Sequence, residues 1–188
     1  MIACVLNGVF AIFSLMGWLC FNGLARGYPI RGAIDVAWGT EVRVGEFYGA
    51  AVSNAYDLES KVAQYPRIVV SNETVNFLEV NSLNPAEDSA SVINRELAKL
   101  CIAFLAQDKD GYRIINYLGG AFREAVLNST FLETYEPAAN FVAKSLAEAR
   151  KNQDTKLTPR YEWLLEYFVR HTPPEFHSSP DNEVKAPK

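Results

Sequence analysis

The chain has 188 residues, of which 49% are hydrophobic and 21% are charged, and its net charge at neutral pH is -4. This composition excludes a disordered protein, and the acidic balance argues against nucleic acid as a partner. The three cysteines and two histidines are too few and too scattered for a disulfide framework or a structural zinc site. We therefore expect a globular protein with no metal ligands of its own.

The first 25 residues carry no charge. Residues 2–21 are nearly long enough to cross a bilayer, which takes about 20 apolar residues. However, Asn7, Ser14 and Asn22 interrupt the apolar run, and no basic residue precedes it as a signal peptide would require. We predict a helix packed against a sheet in a cytoplasmic protein. The alternative is a transmembrane helix over residues 2–21 that anchors the protein to the inner membrane.

Short strands and helices are predicted to alternate after this helix. The predicted elements are a strand over 30–37, a short strand over 41–44 that pairs back on it, a loop over 45–49, a helix over 50–63, a strand over 67–70, and a helix over 72–78 that Ser71 caps. On the helix over 50–63, Val52, Ala55, Leu58 and Val62 recur at helical spacing, so these side chains are expected to form its buried face.

A polar segment that contains Pro85 begins beyond residue 80, and we place a domain boundary there. Helices over 92–105, 121–127 and 136–151 and a strand over 111–115 are predicted to follow. A last helix is expected to begin with Thr158 as its N-cap and Pro159 in its first turn. The predicted organisation is a domain over 1–80, a helical extension over 81–170 packed on it, and a disordered tail over 171–188.

No standard catalytic motif is present in the sequence. It has no glycine-rich phosphate loop ending in Lys-Ser/Thr, no serine nucleophile elbow, and no histidine spaced against a cysteine or aspartate. The segment DKDGY over 108–112 imitates part of a calcium loop, but Ala106 and Tyr117 stand where ligating carboxylates belong. We therefore predict a tight turn at Asp110 and Gly111.

Several short motifs follow one another in a recognisable order. They are RGAI at 31–34, GAAVSNAYDLE at 49–59, YPRIVVS at 65–71 and RYEWLLEY at 160–167. This order resembles the second half of a class III nucleotide cyclase domain, and in particular a group of bacterial cyclase-like proteins with an aromatic helical extension. The resemblance implies an α+β fold, namely a partial ferredoxin-like cyclase sheet of about three strands with a helical C-terminal extension.

The resemblance also implies a mechanism. Class III cyclases act as head-to-tail dimers, in which two Asp of one subunit hold two metal ions on a nucleoside triphosphate while an Asn and an Arg of the other stabilise the reacting groups. The matching positions here are Ser53 for the Asn and Asp57 for the Arg. An anion at the second position repels a triphosphate, unless Arg31 or Arg43 reaches the site.

Three further residues, Gly49, Asn54 and Tyr56, occupy positions that the resemblance assigns to nucleotide contact, and Asn54 replaces the family amide if the helix register shifts by one residue. In the family, the two metal-binding Asp come before the helix that precedes the RGAI strand, and Met1 of this sequence is expected to lie within that helix already. Mg²⁺ or Mn²⁺ with a nucleoside triphosphate is therefore expected only where that half is supplied, and the chain itself is expected to hold no cofactor.

The sequence supports three hypotheses about function. The first is a catalytically inactive cyclase-homology protein with a regulatory or nucleotide-binding role, acting as a homodimer or with a partner chain at an open sheet edge beside RGAI at 31–34. The second is the C-terminal part of an active nucleotide cyclase whose metal-binding half lies upstream. The third is a membrane-anchored interaction protein.

Overall fold

The computed structural model describes residues 2–85, 88–128 and 130–172. The predicted disordered tail lies almost entirely outside these residues. The helices are α1 (Ile2–Ala25), α2 (Ala50–Lys61), α3 (Asn72–Leu83), α4 (Ser89–Ala103), α5 (Gly120–Phe122), α6 (Thr130–Lys151) and α7 (Leu157–His171), with a π-helical turn at Arg123–Leu127. The strands are β1 (Gly32–Ile34), β2 (Gly39–Arg43), β3 (Glu46–Gly49), β4 (Ile68–Val70), β5 (Leu105–Gln107) and β6 (Arg113–Ile115). The fold is mixed, with 64% helix and a small sheet, which is compatible with the predicted α+β class.

The main sheet has four strands in the order β1-β4-β6-β5. β1 and β4 are parallel, with Gly32 opposite Ile68, and they are joined through α2. β4 pairs antiparallel with β6, which forms a hairpin with β5. Strands from both sides of residue 80 therefore contribute to one sheet, and β1 lies at its edge.

The number of strands in this sheet differs from the prediction, because residues 105–107 form a strand where the predicted helix ended at residue 105 and no strand was expected. The turn over 108–112 was predicted correctly, with Gly111 in the left-handed region at a φ of 87°. This turn places Leu105 opposite Ile115. The segment LAQ has no strong strand preference, so it is pairing with β6 that makes it a strand.

The pairing predicted for residues 41–44 was also wrong. β2 pairs antiparallel with β3, a segment predicted to be a loop, and the two strands form a separate two-stranded sheet. Gly45 allows the turn with a φ of 82°. Gly39 and Gly49 lie opposite each other, and a Cβ added to Gly49 would lie 2.6 Å from the Gly39 Cα. The sequence therefore needs glycine at Gly49 because the two backbones are close. We call the β2–β3 hairpin the arm.

The buried face predicted for α2 was correct in part. Ala55, Leu58 and Val62 are partly buried, but Val52 is 63% exposed, and α2 has no fully buried residue. The partly buried positions are spaced at helical intervals from Ala51. Val52 lies one residue further, which turns it by about 100° away from the inward face. α2 therefore lies at the periphery of the fold.

Helix boundaries differ from the prediction where tertiary contacts decide them. The predicted N-cap at Ser71 is confirmed, since its side chain accepts a hydrogen bond from the Thr74 N–H at 3.0 Å. α6 begins at Thr130 and continues through Pro137, because Phe131 and Tyr135 are buried and hold its first turns. α7 begins at Leu157 instead of after Thr158, because the Asp154 carboxylate accepts hydrogen bonds from the first N–H groups.

The apolar helix α1 packs against α4 and α6, and Phe13, Phe21 and Leu24 are buried there. It also approaches the sheet, where a Cβ added to Gly17 would lie 3.1 Å from the Ile115 side chain. By length and composition α1 could cross a membrane, and 39% of its apolar window is buried in this fold. Its exposed apolar side chains are Val5, Ile12, Leu15 and Trp18.

Candidate interaction site

The residues that the family resemblance singled out lie at the arm and on α2. Gly49 ends β3 directly before α2. Helix α2 carries Ser53, Tyr56 and Asp57. All three are exposed, and the exposed fraction of Tyr56 is 70%. The Asp57 carboxylate accepts a hydrogen bond from Lys61 Nζ at 2.9 Å. Ser53 and Asp57 are one helical turn apart and face solvent, so the structure places them on an open surface and not in a cleft.

Asn54 is engaged differently from its neighbours. Its Nδ2 donates a hydrogen bond to Asp35 Oδ2 at 2.9 Å, which ties α2 to the segment that follows β1. The other oxygen of Asp35 is buried and has no hydrogen-bond partner within the described residues. Asn54 thus positions α2 against the main sheet, and its amide is not free to replace the family amide in this arrangement.

Arg31 and Arg43 were the two cations that could have compensated for Asp57. Arg31 Nε pairs instead with Glu59 Oε1 at 2.6 Å. Arg43 lies at the end of β2, in a strand whose five residues are all exposed. The cation that pairs with Asp57 is instead Lys61.

The arm and α2 expose large apolar side chains to solvent. Trp38 is 95% exposed, Tyr48 is 65% exposed, and Val44 at the turn is fully exposed. We call the whole set the arm surface, and its members are Trp38, Val42, Val44, Tyr48, Val52 and Tyr56. An isolated two-stranded hairpin is marginally stable in water, and several large apolar side chains exposed on neighbouring elements are typical of an interaction site.

The edge of the main sheet lies next to the arm in the chain. β1 pairs with β4 on one side, where the Gly32 N–H donates to the Arg67 carbonyl and the Ser71 N–H donates to the Ile34 carbonyl. Within the described part of the chain no strand pairs with the other side of β1. An unpaired strand edge presents N–H and C=O groups to another chain. The arm surface and this edge are therefore two adjoining features that a partner could cover.

A cluster of charged residues that the sequence did not predict joins β4, the β5–β6 turn and α7. Arg67 is buried and forms ion pairs with Asp108 and with Asp110, the latter at 2.5 Å. Asp108 is also buried and accepts a hydrogen bond from Trp163 Nε1 at 3.1 Å. Tyr65 stacks on Trp163 with their planes 10° apart. We call Arg67, Asp108, Asp110 and Trp163 the buried cluster after its central pair, Arg67 and Asp108, which are buried, whereas Trp163 is half-buried and Asp110 is exposed.

The electrostatics of the buried cluster favour the charged forms. Desolvation raises the pKa of Asp110, but its hydrogen bond and attraction to Arg67 outweigh this, so the pKa lies below its usual value. Desolvation likewise opposes the charge of Arg67, and the two aspartates overcome it and raise its pKa. Arg67 is therefore a permanent cation that holds the turn over 108–112. The sequence signals were the aspartates of DKDGY and the arginine of YPRI, but nothing in them indicated that they meet.

Among the residues that the structure describes, no group of three or more His, Cys, Asp or Glu side chains is placed to hold a metal ion. Comparison of the chain with models of known protein families, with curated proteins and with solved structures finds no match. The resemblance to class III nucleotide cyclases therefore stays a prediction based on motif order. The arm surface and the edge of β1 are the features that bear most directly on function.

Proposed function

We propose that this chain is a cyclase-homology protein that acts as a regulatory interaction module, and that its arm surface binds a second copy of the chain. The observation that supports this proposal most directly is the exposure of the arm surface, since strand β2 has no buried residue and Trp38, directly before it, is 95% exposed. A strand whose residues are all exposed gains stability when another strand or apolar surface covers it.

The topology is consistent with a partial cyclase sheet. The RGAI strand and the RIVVS strand are parallel neighbours connected through a helix, and a hairpin adds to the far side of the second strand. The edge beside RGAI is unpaired within the described residues, as expected for a sheet that continues into another chain. We infer that the resemblance in motif order reflects this arrangement of strands.

A second copy is the partner that the arm fits best. Two arms related by a two-fold axis can pair antiparallel, since such an interface uses the same patch on both subunits. The charged residues at the arm, Glu41, Arg43 and Glu46, include both signs, so an antiparallel arrangement can bring opposite charges together. The exposed apolar side chains would then form the dry centre of the interface.

Cyclase catalysis by this chain alone is not part of the proposal. Ser53 cannot replace the family Asn as a side-chain amide, and Asp57 places a negative charge where the family has Arg. Asp57 is exposed and paired with Lys61. A carboxylate at this position opposes the binding of a triphosphate and does not stabilise developing negative charge.

Sedimentation of the full chain over a range of concentrations tests self-association. We expect a reversible dimer of the 21.0 kDa chain, and Trp38→Ser should weaken it by about 2 kcal/mol, roughly 30-fold in Kd, because large aromatic residues dominate such interfaces. The matched control is Leu83→Asp, since Leu83 is 83% exposed at the end of α3, away from the arm. A chain that stays monomeric at all concentrations contradicts the proposal, as does a dimer that Leu83→Asp weakens as much as Trp38→Ser does.

Membrane attachment through α1 is a second candidate, supported by the exposed apolar stripe of Val5, Ile12, Leu15 and Trp18. A helix that spans a bilayer would have to leave its packing against α4 and α6, where Phe13 and Phe21 are fully buried. We therefore expect alkaline extraction of membranes to release the chain into the supernatant. Retention in the pellet at alkaline pH would support the membrane anchor instead.

A further inference from the structure

A cavity of about 230 Å³ lies where three segments of the chain meet. Pro29 and Arg31 come from the segment before β1, Gln64 to Pro66 from the segment before β4, and Leu157, Arg160 and Tyr161 from the first turns of α7. None of the residues that line the cavity belongs to the arm surface.

The charge of this cavity is opposite to that of the protein as a whole. Its two charged lining residues are Arg31 and Arg160, and no carboxylate lines it, although the chain has a net charge of -4. A neighbouring cavity of about 410 Å³ is lined by four carboxylates and two cations. The two charged groups that line the smaller cavity are therefore both cations, and the carboxylates nearest to them, Glu59 beside Arg31 and Asp154 beside Arg160, lie outside the lining.

The two arginines have hydrogen-bonding groups to spare. Arg31 uses its Nε for the ion pair with Glu59 at 2.6 Å, which fixes the side chain and leaves its two terminal nitrogens without a partner in the described part of the structure. Arg160 forms no hydrogen bond or ion pair with any described residue. The nearby Asp154 accepts hydrogen bonds from the backbone N–H groups of Lys156 and Leu157, both at 2.9 Å.

The walls of the cavity are held in place by contacts outside it. Tyr65 stacks on Trp163, with ring centroids 6.0 Å apart. Tyr161 packs edge to face on Phe141 at 6.1 Å. The Gln64 amide donates to the Lys61 carbonyl at 3.3 Å, which leaves the amide oxygen free for a ligand hydroxyl. A cavity with walls fixed in this way needs little rearrangement to bind a ligand.

We propose that this cavity binds a small phosphomonoester. Two guanidinium groups from different segments can donate to a phosphate dianion from two directions, and arginine binds phosphate in a bidentate manner. The volume is below that of cavities for drug-sized ligands, which begin at about 300 Å³, so the organic part must be small. The tyrosines and prolines provide apolar walls for that part. Binding would join α7 to the segments before β1 and β4.

Calorimetric titration of the full chain at constant ionic strength tests this site, with glycerol 3-phosphate and inorganic phosphate as probes and succinate as a dianion of different geometry. We expect saturable binding of both phosphate probes and affinity at least about tenfold weaker for succinate. Arg160→Gln should weaken phosphate binding about tenfold or more, because a charged hydrogen-bond donor is lost. Thermal unfolding checks that Arg160→Gln is folded. We expect the variant to fold, because Arg160 makes no ion pair with a described residue that the substitution would break.

The matched control is Arg95→Gln, because Arg95 lies on α4, is paired with Glu96 at 3.3 Å and does not line the cavity. Its phosphate affinity should equal that of the unmodified chain. Absence of saturable phosphate binding overturns the proposal, and so does equal loss of affinity in both arginine variants. Equal affinity for succinate and phosphate overturns the assignment to phosphomonoesters.

Discussion

Replacement of Arg67 by methionine is expected to lower the free energy of unfolding by about 3–5 kcal/mol, because it leaves a buried carboxylate without its cation. Arg67 is 2% exposed and Asp108 is 6% exposed. The Arg67 side chain also donates to the Val62 carbonyl at 2.8 Å, and this hydrogen bond would be lost, although the Gln64 N–H still donates to the same carbonyl. Since a typical domain is stable by only about 5–15 kcal/mol, the loss should be evident in urea unfolding followed by circular dichroism.

Two variants separate the buried charge from other effects. Lys61→Met breaks the exposed ion pair with Asp57 and should change the stability by less than about 0.5 kcal/mol. In Arg67→Met/Asp108→Asn the buried charge is removed as well, so part of the lost stability should return. If Arg67→Met alone stays within about 1 kcal/mol of the unmodified chain, the buried cluster does not stabilise the fold.

The pH dependence of stability provides a readout of the other ion pair of Arg67, the one with Asp110. The pKa of Asp110 in the folded protein lies below its usual value, which is about 3.9 in an unfolded chain. The stability that this pair contributes is therefore present above about pH 4 and is lost as the pH falls through the lower, folded-state pKa. Arg67→Met should lack this part of the acid dependence.

The second large effect is expected at Gly17 in α1. A Cβ at this position would lie 2.3 Å from Phe122 Cζ, and Phe122 is completely buried. The ring cannot move away without displacing the core around it. Overpacking of this kind costs about 1–3 kcal/mol, and the gain in helix propensity from alanine offsets only part of this cost. Gly17→Ala should therefore lower the melting temperature measured by circular dichroism.

Gly8 in the same helix is the control for this variant. A Cβ at Gly8 meets no atom within 4 Å, and the position is exposed. Gly8→Ala should raise stability by about 0.5–1 kcal/mol, because alanine is the better helix former. Opposite signs at the two glycines confirm that α1 packs as a core helix against Phe122. A stabilising Gly17→Ala would contradict that packing.

Local signals in the sequence predicted the parts of the fold that depend on neighbouring residues. Ser71 was correctly predicted as a helix cap, and the turn at Gly111 was correctly placed, because both depend on the chemistry of a few adjacent residues. The strand at 105–107 and the pairing of β2 with β3 were missed, since strand partners are chosen through tertiary contacts. The start of α6 was missed because the buried side chains of Phe131 and Tyr135 hold the helix before Pro137.

The candidate sites were less predictable than the fold. The motif order led to Gly49, Ser53, Asn54, Tyr56 and Asp57, and the structure places all of them on or beside α2. The exposure of Tyr48 in β3 could not be inferred, because an aromatic residue in a strand is more often half-buried. No local pattern indicated the exposure of Trp38, which directly precedes β2. The cavity between Arg31 and Arg160 joins residues that are far apart in the chain, and no local pattern indicates such a meeting.

The buried cluster also bears on how this protein folds while the ribosome synthesises it. Arg67 pairs with Asp108, 41 residues later, and Asp108 receives a hydrogen bond from Trp163, 55 residues after that. Contacts so distant in sequence form late, because long loops must close first. A nascent chain that has emerged only as far as β6 contains Arg67 and Asp108 but still lacks Trp163, whose indole donates to Asp108. Completion of the fold during translation therefore waits for α7 to leave the exit tunnel.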